Sequence, residues 1–378
     1  MPPRADTSNH TRRLAGRRTI LTGASSGVGL AAARLFAREG ADLVMLARGE
    51  AGLAEAERAA REEGATASSI SVDLGDREAT TRAVEEAAER LGGIDLVVSN
   101  AAGLAFGHFT EVPAEDFDRT VAVTFNGPVD LIRAALPHLR ESRGTIVATG
   151  SLNARLPLPT FSAYAASKHA LRGFLNTLRI EEREQRSGVQ VTMVHPGPID
   201  TPVFERATSA TGKRPRRPPD SYRAEVVAQA LVESAVRPRA ESFVGGQTRL
   251  IDLGFGAARP IVEGVLLLID RWYRTGTEPA PDRGSLYGPM AHGAISGGMS
   301  GRDSLFAWTR LGRRMAPRPS APLKLVGNVG AAAIQGAQLL PQLFGGPVRE
   351  SGSPVPGADA TRDPLEPEVG QKATKAAA

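Results

Sequence analysis

A chain of 378 residues exceeds an ordinary domain of roughly 100 to 200 residues, so one large domain with extensions, or two domains, is expected. With 41% hydrophobic and 23% charged residues it has the composition of a soluble protein, and a net charge of +5 with arginine spread along the chain gives no reason to expect nucleic acid as a partner. The lack of cysteine excludes disulfides, thiolate nucleophiles and cysteine-based metal sites.

Residues 1–14 carry arginines but no apolar h-region and read as a flexible N-terminus rather than a secretory signal. No window reaches roughly 18 consecutive apolar residues, so a cytoplasmic protein is expected, with membrane association as the alternative. Arg18 to Thr22 reads as a short buried strand, followed at once by T-G-A-S-S-G-V-G from Thr22 to Gly29 and by an alanine-rich helix from about Val28 to Arg38. Residues 41–47 form a second strand, which completes a βαβ opening. Gly23, Gly27 and Gly29 let the turn tighten and the backbone approach a pyrophosphate, which the helix N-terminus favours through its free N–H groups.

Cofactor choice should be legible at the end of the second strand, where a carboxylate would bind the ribose 2′-OH of NAD and an arginine the 2′-phosphate of NADP. The sequence offers Ala47-Arg48, with no carboxylate before Glu50, so NADP is favoured over NAD; the alternative is an arginine that is only solvated. Alternation then continues. Leu53 to Glu63 is helical, Ser69 to Val72 a strand ending in Asp73-Leu74, Arg77 to Leu91 an amphipathic helix, and Ile94 to Val98 a strand leading into S-N-A-A-G. Asp116 to Leu139 carries one long helical pattern, and Thr145 to Thr149 is a strand that delivers Ser151. The next helix carries Tyr164 and Lys168, Val189 to Val194 is a strand entering H-P-G-P-I-D-T, Glu225 to Val236 is helical, and Glu241 to Val244 is a closing strand. Such alternation specifies a doubly wound parallel α/β sheet.

Tyr164 and Lys168 stand four apart, which on a helix puts a phenol beside an ammonium about 5 to 6 Å away. A neighbouring cation favours the phenolate and makes tyrosine a workable proton donor and acceptor. By itself the pair also fits a half-buried tyrosine and a solvated lysine. Ser151, at a strand's carboxyl end, lies where open parallel sheets bind ligands.

Over about residues 15–250 these motifs, in this order, resemble the short-chain dehydrogenase/reductase family: Thr22 to Gly29, Asp73, Asn100 to Gly103, Ser151, Tyr164 to Lys168, and P-G-x-x-x-T from Pro196 to Thr201. The resemblance implies a Rossmann-type catalytic domain and an oxidoreductase that interconverts a small apolar carbonyl compound and its alcohol, expected as a homo-oligomer. Tyr164 would be the general acid or base, Ser151 would hold the substrate oxygen, and Lys168 would lower the tyrosine's pKa and bind the nicotinamide ribose. The cofactor would be held by Thr22, Gly23, Ser25, Ser26, Gly27, Val28, Gly29, Arg48, Asp73, Leu74, Asn100, Ala101, Lys168, Pro196, Gly197, Ile199 and Thr201. One position departs from the family pattern. Thr124 stands where an asparagine usually holds a water in a proton relay, and Asn126, about 200° further round a helix, is a poor substitute. That departure, with the long C-terminal extension, supports an alternative in which the chain is an NADP-binding scaffold or sensor with little turnover.

His108, His138, His169 and His195 are scattered without metal-ligand spacing, so no metal is expected. Residues 202–222 would form a substrate lid; the basic cluster Lys213 to Arg217 reads as solvated or as a site for anions or acidic headgroups. Residues 251–344 read as a partly helical extension. In it, Ile251 to Tyr273 forms one or two amphipathic helices divided near Pro260 that could cover the cleft, join subunits or lie on a membrane, while Glu278 to Ser304 is an extended loop. Residues 345–378 read as a disordered tail.

Overall fold

In a computed structural model that describes residues 12–218, 221–245, 255, 258–281, 284–289 and 293–298, seven parallel strands form one sheet. They are β1 (Arg18–Thr22), β2 (Asp42–Ala47), β3 (Ala67–Ser71), β4 (Leu96–Ser99), β5 (Thr145–Thr149), β6 (Gln190–Pro196) and β7 (Glu241–Val244), side by side in the order β7-β6-β5-β4-β1-β2-β3. The chain winds outward from β1 in both directions, so a crevice opens between β1 and β4 at their carboxyl ends, where such sheets bind ligands.

Successive strand residues point to opposite faces, and both faces are covered. Leu21, Met45, Val98 and Val147 pack with helices α1 (Gly27–Arg38), α2 (Glu50–Glu62) and α7 (Ala224–Val236). Ile20, Leu46, Val97 and Ile146 pack with α3 (Arg77–Leu91), α5 (Gly127–Ser142) and α6 (Ser162–Glu184). Helix α1 is buried over most of its surface because α2 and α7 flank it on the same face of the sheet, and that is why its sequence is largely apolar.

Two elements differ from their sequence patterns. The edge strand β3 starts two residues before the expected Ser69 because its register against β2, from Leu43 with Ala67 to Ala47 with Ser71, defines it, and not its serine-rich composition. The long helix expected over Asp116 to Leu139 is instead α4 (Ala114–Val121), a π-type turn over Ala122–Asn126, and α5. Pro128 lacks the N–H that would reach the Thr124 carbonyl, and Gly127 presses on Leu74, whose carbonyl would lie 2.4 Å from an added Cβ. Pro260 occupies the first turn of α8 (Arg259–Tyr273), where its missing N–H costs nothing, so it stands at the start of a helix, as a boundary near it requires.

No helix among the described residues is long and apolar enough to cross a membrane. Residues 1–11 and the expected weak helix and tail beyond residue 320 lie outside the described residues.

Candidate active site

The glycine-rich turn between β1 and α1 is shaped by contacts that admit no side chain. A Cβ at Gly29 would sit 1.9 Å from the Gly23 carbonyl oxygen, and one at Gly23, whose φ is +69°, would sit 2.9 Å from Ala101 Cα. Thr22 Oγ1 accepts from the backbone N–H groups of Asn100 (2.9 Å) and Ala101 (3.1 Å), which fixes the end of β4 against the turn. Thr22 and Gly29 therefore shape the turn from beneath. Gly23, Ser25, Ser26, Gly27 and Val28 line a cavity of about 470 Å³, together with Arg48, Asp73, Leu74, Asn100, Ala101, Pro196, Gly197, Ile199 and Thr201.

Ser151 and Tyr164 line the same cavity, with the serine side chain acting on the phenol. Burial pushes the Tyr164 phenol up to about 12, and the Ser151 side chain offsets part of that rise. Lys168 does not line the cavity: it is 2% exposed, and its Nζ donates to the Thr149 carbonyl at 2.7 Å and lies 5.6 Å from the Tyr164 ring centroid. Burial in this setting pushes its ammonium down to about 8. The Thr149 hydroxyl in turn donates to Asn100 Oδ1 at 3.0 Å, so lysine, strand β5 and strand β4 are linked in one chain of bonds.

Thr124 is fully buried and makes both its bonds to one residue. Its hydroxyl accepts from Gly103 N–H at 2.9 Å and donates to the Gly103 carbonyl at 3.1 Å, while Asn126 is exposed. The threonine thus fastens the N-A-A-G turn. Replacing Thr124 with valine leaves both Gly103 groups unpaired and should lower unfolding stability by about 1 to 3 kcal/mol in a urea titration; an unchanged midpoint would contradict this role.

Of the histidines, His195 has the most defined setting. It is fully buried, its Nδ1 donates to the Ser151 carbonyl at 3.1 Å, and its ring lies tilted against Phe243 at 5.2 Å. On its other side Glu241 is held by Arg155 and Arg172, each at 2.7 Å. Burial alone would raise the Glu241 carboxyl, but His195 and Arg172 outweigh it and hold that group well below the usual carboxylate range. Spacing gave no sign of this support beneath the serine, because its members come from four separate elements. Among the described residues no cluster of histidine and carboxylate side chains could hold a metal.

Beyond Tyr164 the cavity becomes apolar and aromatic. Phe161 meets Phe106 and Tyr273 edge-on at 5.4 and 5.3 Å, and Phe204 stacks on Tyr273 at 5.7 Å. Leu266, Ile269 and Tyr273 bring α8 over this compartment. The helix is pinned there by a buried bond from Thr160 Oγ1 to Asp270 Oδ1 at 2.8 Å. Periodicity marked these residues as apolar, but it could not say that they face the cleft.

At the opposite end Arg48 and Asp73 are both engaged. Arg119, which no sequence pattern singled out, pairs with Asp73, and the Arg48 guanidinium donates to the backbone carbonyls of Ser285, Leu286 (2.8 Å) and Gly288 (3.3 Å).

The family profile described as short chain dehydrogenase matches residues 17–212. The chain belongs to this family. Short-chain dehydrogenases are NAD(P)-dependent oxidoreductases, and the glycine cradle, with no room for a Cβ at Gly23 or Gly29, fits such a dinucleotide. An uncharacterized oxidoreductase of Bacillus subtilis, YxnA, is 36% identical over 261 residues, covering 68% of this chain and 73% of that protein. A hydroxysteroid 11-beta-dehydrogenase 1-like protein of Xenopus tropicalis is 38% identical over 189 residues, 50% of this chain and 66% of that one. Among solved structures, an alcohol dehydrogenase from Thermococcus sibiricus complexed with 5-hydroxy-NADP matches with a TM-score of 0.53 and 26% identity, covering 60% of this chain and 94% of that one.

Proposed function

We propose that this short-chain dehydrogenase interconverts an apolar ketone or aldehyde and the corresponding alcohol with NADP(H), using Tyr164 as proton donor and acceptor. The observation that carries this reading is the Ser151–Tyr164 pair in the cavity wall, placed where the glycine-lined part of the cavity meets the aromatic part. The bound dinucleotide supplies the hydride. Ser151 holds the substrate oxygen and Tyr164 delivers a proton to it. Lys168, tied to Thr149, keeps a positive charge beside the phenol. The side chains of Phe161, Phe204, Leu266 and Tyr273 favour a substrate with a bulky apolar body, in keeping with the hydroxysteroid dehydrogenase name of one relative. Ile261 and Leu267, exposed on the outer side of α8, suit contact with a second copy of the chain.

For the phosphate, Arg48 is the one cation among the described residues that line the cavity, and the one lining carboxylate, Asp73, is already paired with Arg119. A charge-assisted bond to a 2′-phosphate is worth about 1.5 to 3 kcal/mol. Arg48→Ala should therefore weaken NADPH roughly tenfold or more in a fluorescence titration while changing NADH less than about twofold. An equal loss for both cofactors would reject the NADP assignment. The reaction itself is tested by a panel of apolar ketones and aldehydes with NADPH; no substrate-dependent oxidation across the panel would leave the scaffold reading in its place.

A further inference from the structure

Residues 284–289 and 293–298 were expected to belong to an extended loop, yet both stretches lie against the dinucleotide cradle. The first contains a short helix, Gly284–Tyr287, whose Leu286 is fully buried, so close to Gly103 that an added Cβ there would stand 2.7 Å from Leu286 Cδ1. Tyr287 donates its hydroxyl to Asp116 at 2.7 Å, and the carbonyls of this stretch cap Arg48 and, through Leu286, Arg119 at 3.3 Å. In the second stretch the Ala294 carbonyl accepts from Gly27 N–H at 2.7 Å. A Cβ at Gly293 would lie 3.3 Å from the Ser25 carbonyl oxygen, and one at Gly297 would lie 2.7 Å from that of Thr201, so at Gly297 only glycine lets the chain lie this flat. Ser296 Oγ and Gly297 N–H both donate to Asp200, at 2.6 and 3.0 Å.

The two kinds of donor engaged here are those a dinucleotide phosphate needs: a guanidinium at the end of β2 and a backbone N–H in the glycine turn. Each is satisfied by peptide carbonyl oxygens, which are partial negative charges in the positions of phosphate oxygens. We propose that these C-terminal stretches are a built-in competitor for the cofactor, seated through Leu286, Tyr287 and Ser296 and displaced when the pyrophosphate and 2′-phosphate take Gly27 and Arg48. This rests on the reading of the cradle as a dinucleotide site. Phosphate oxygens, being charged acceptors, make the stronger bonds, so the cofactor wins at each donor, but against a rival tethered to the same chain. A segment seated in nine molecules of ten raises the apparent Kd about tenfold, because binding waits on the remaining tenth.

The test uses the full chain and two variants outside the cradle, Leu286→Ala/Tyr287→Phe and Ser296→Ala. Titrated with NADPH, both should bind about fivefold or more tightly than the unaltered chain, with kcat at saturating NADPH unchanged. In the unaltered chain, saturating NADPH should speed chymotryptic cleavage after Tyr287. Unchanged or weaker NADPH binding in variants that retain the unaltered melting temperature, or protection of Tyr287 by NADPH, overturns the proposal and marks the segment as fixed wall or closing lid while the dinucleotide reading stands. Should neither the unaltered chain nor either variant bind NADPH or NADH, the dinucleotide reading fails, and the proposal with it.

Discussion

Tyr164→Phe should lower kcat for carbonyl reduction by a factor of roughly 10² to 10⁴, the usual contribution of a positioned general acid, while the Kd for NADPH moves by less than about twofold. The substitution removes one oxygen and keeps the ring, so the packing against the aromatic cluster around Phe161 survives. What is lost is the proton that would neutralise the alkoxide formed when hydride reaches the carbonyl carbon. An alkoxide is more basic than a phenolate, so a phenol pushed up to about 12 is still acid enough to give its proton, and it stays protonated throughout the working range. Alcohol oxidation needs the phenolate instead. Its rate should rise as the pH is increased, whereas reduction should not. A Tyr164→Phe protein that reduces its substrate within about threefold of the unaltered rate would remove the phenol from the chemistry.

The doubly wound sheet could be read from sequence because its signals are local: apolar runs four to seven residues long, helical periods between them, and a glycine turn placed between the first strand and the first helix. Strand ends were less legible, as at β3, where a partner strand fixes the register. The break at Ala122–Asn126 was hidden by an intact helical pattern, although Pro128 held its cause. At the site, helical spacing set Tyr164 beside Lys168, but only the family resemblance, not spacing, joined Ser151 to them. Arg119, His195 and the stretches at 284–298 act through contacts between residues distant in sequence. Arg48 meets Leu286 across 238 positions, and nothing in the composition of a glycine-rich loop announces such a destination. The aromatic compartment is intermediate: Tyr273 was visibly apolar, but which way α8 turns it depends on the buried Thr160–Asp270 bond.

Lys168→Met should abolish most activity, by a factor of about 10² or more, and yet raise the stability of the protein near neutral pH. The ammonium is 2% exposed and its pKa falls from the ordinary 10.5 to about 8, with burial as the cause. A displacement of that size corresponds to roughly 3 kcal/mol of penalty for keeping the charge inside the fold. The unfolded chain holds this proton up to about pH 10.5 and the folded one only to about 8, so in that window raising the pH favours folding, and below it the penalty is fully present. Methionine has a similar length and no charge. It gives up the bond to the Thr149 carbonyl, a loss of about 1 to 2 kcal/mol, which leaves a net gain of about 1 to 2 kcal/mol and a Tm higher by a few degrees at pH 7. That advantage should shrink from pH 8 upward and vanish or reverse by about pH 10.5, where lysine is neutral in both states. Thermal unfolding of both proteins without cofactor, from pH 6 to about 10.5, measures the difference directly. A Lys168→Met protein less stable than its parent at every pH would mean that the ammonium is well solvated by its surroundings, and that a buried charge held at a cost is the wrong description of how this site is built.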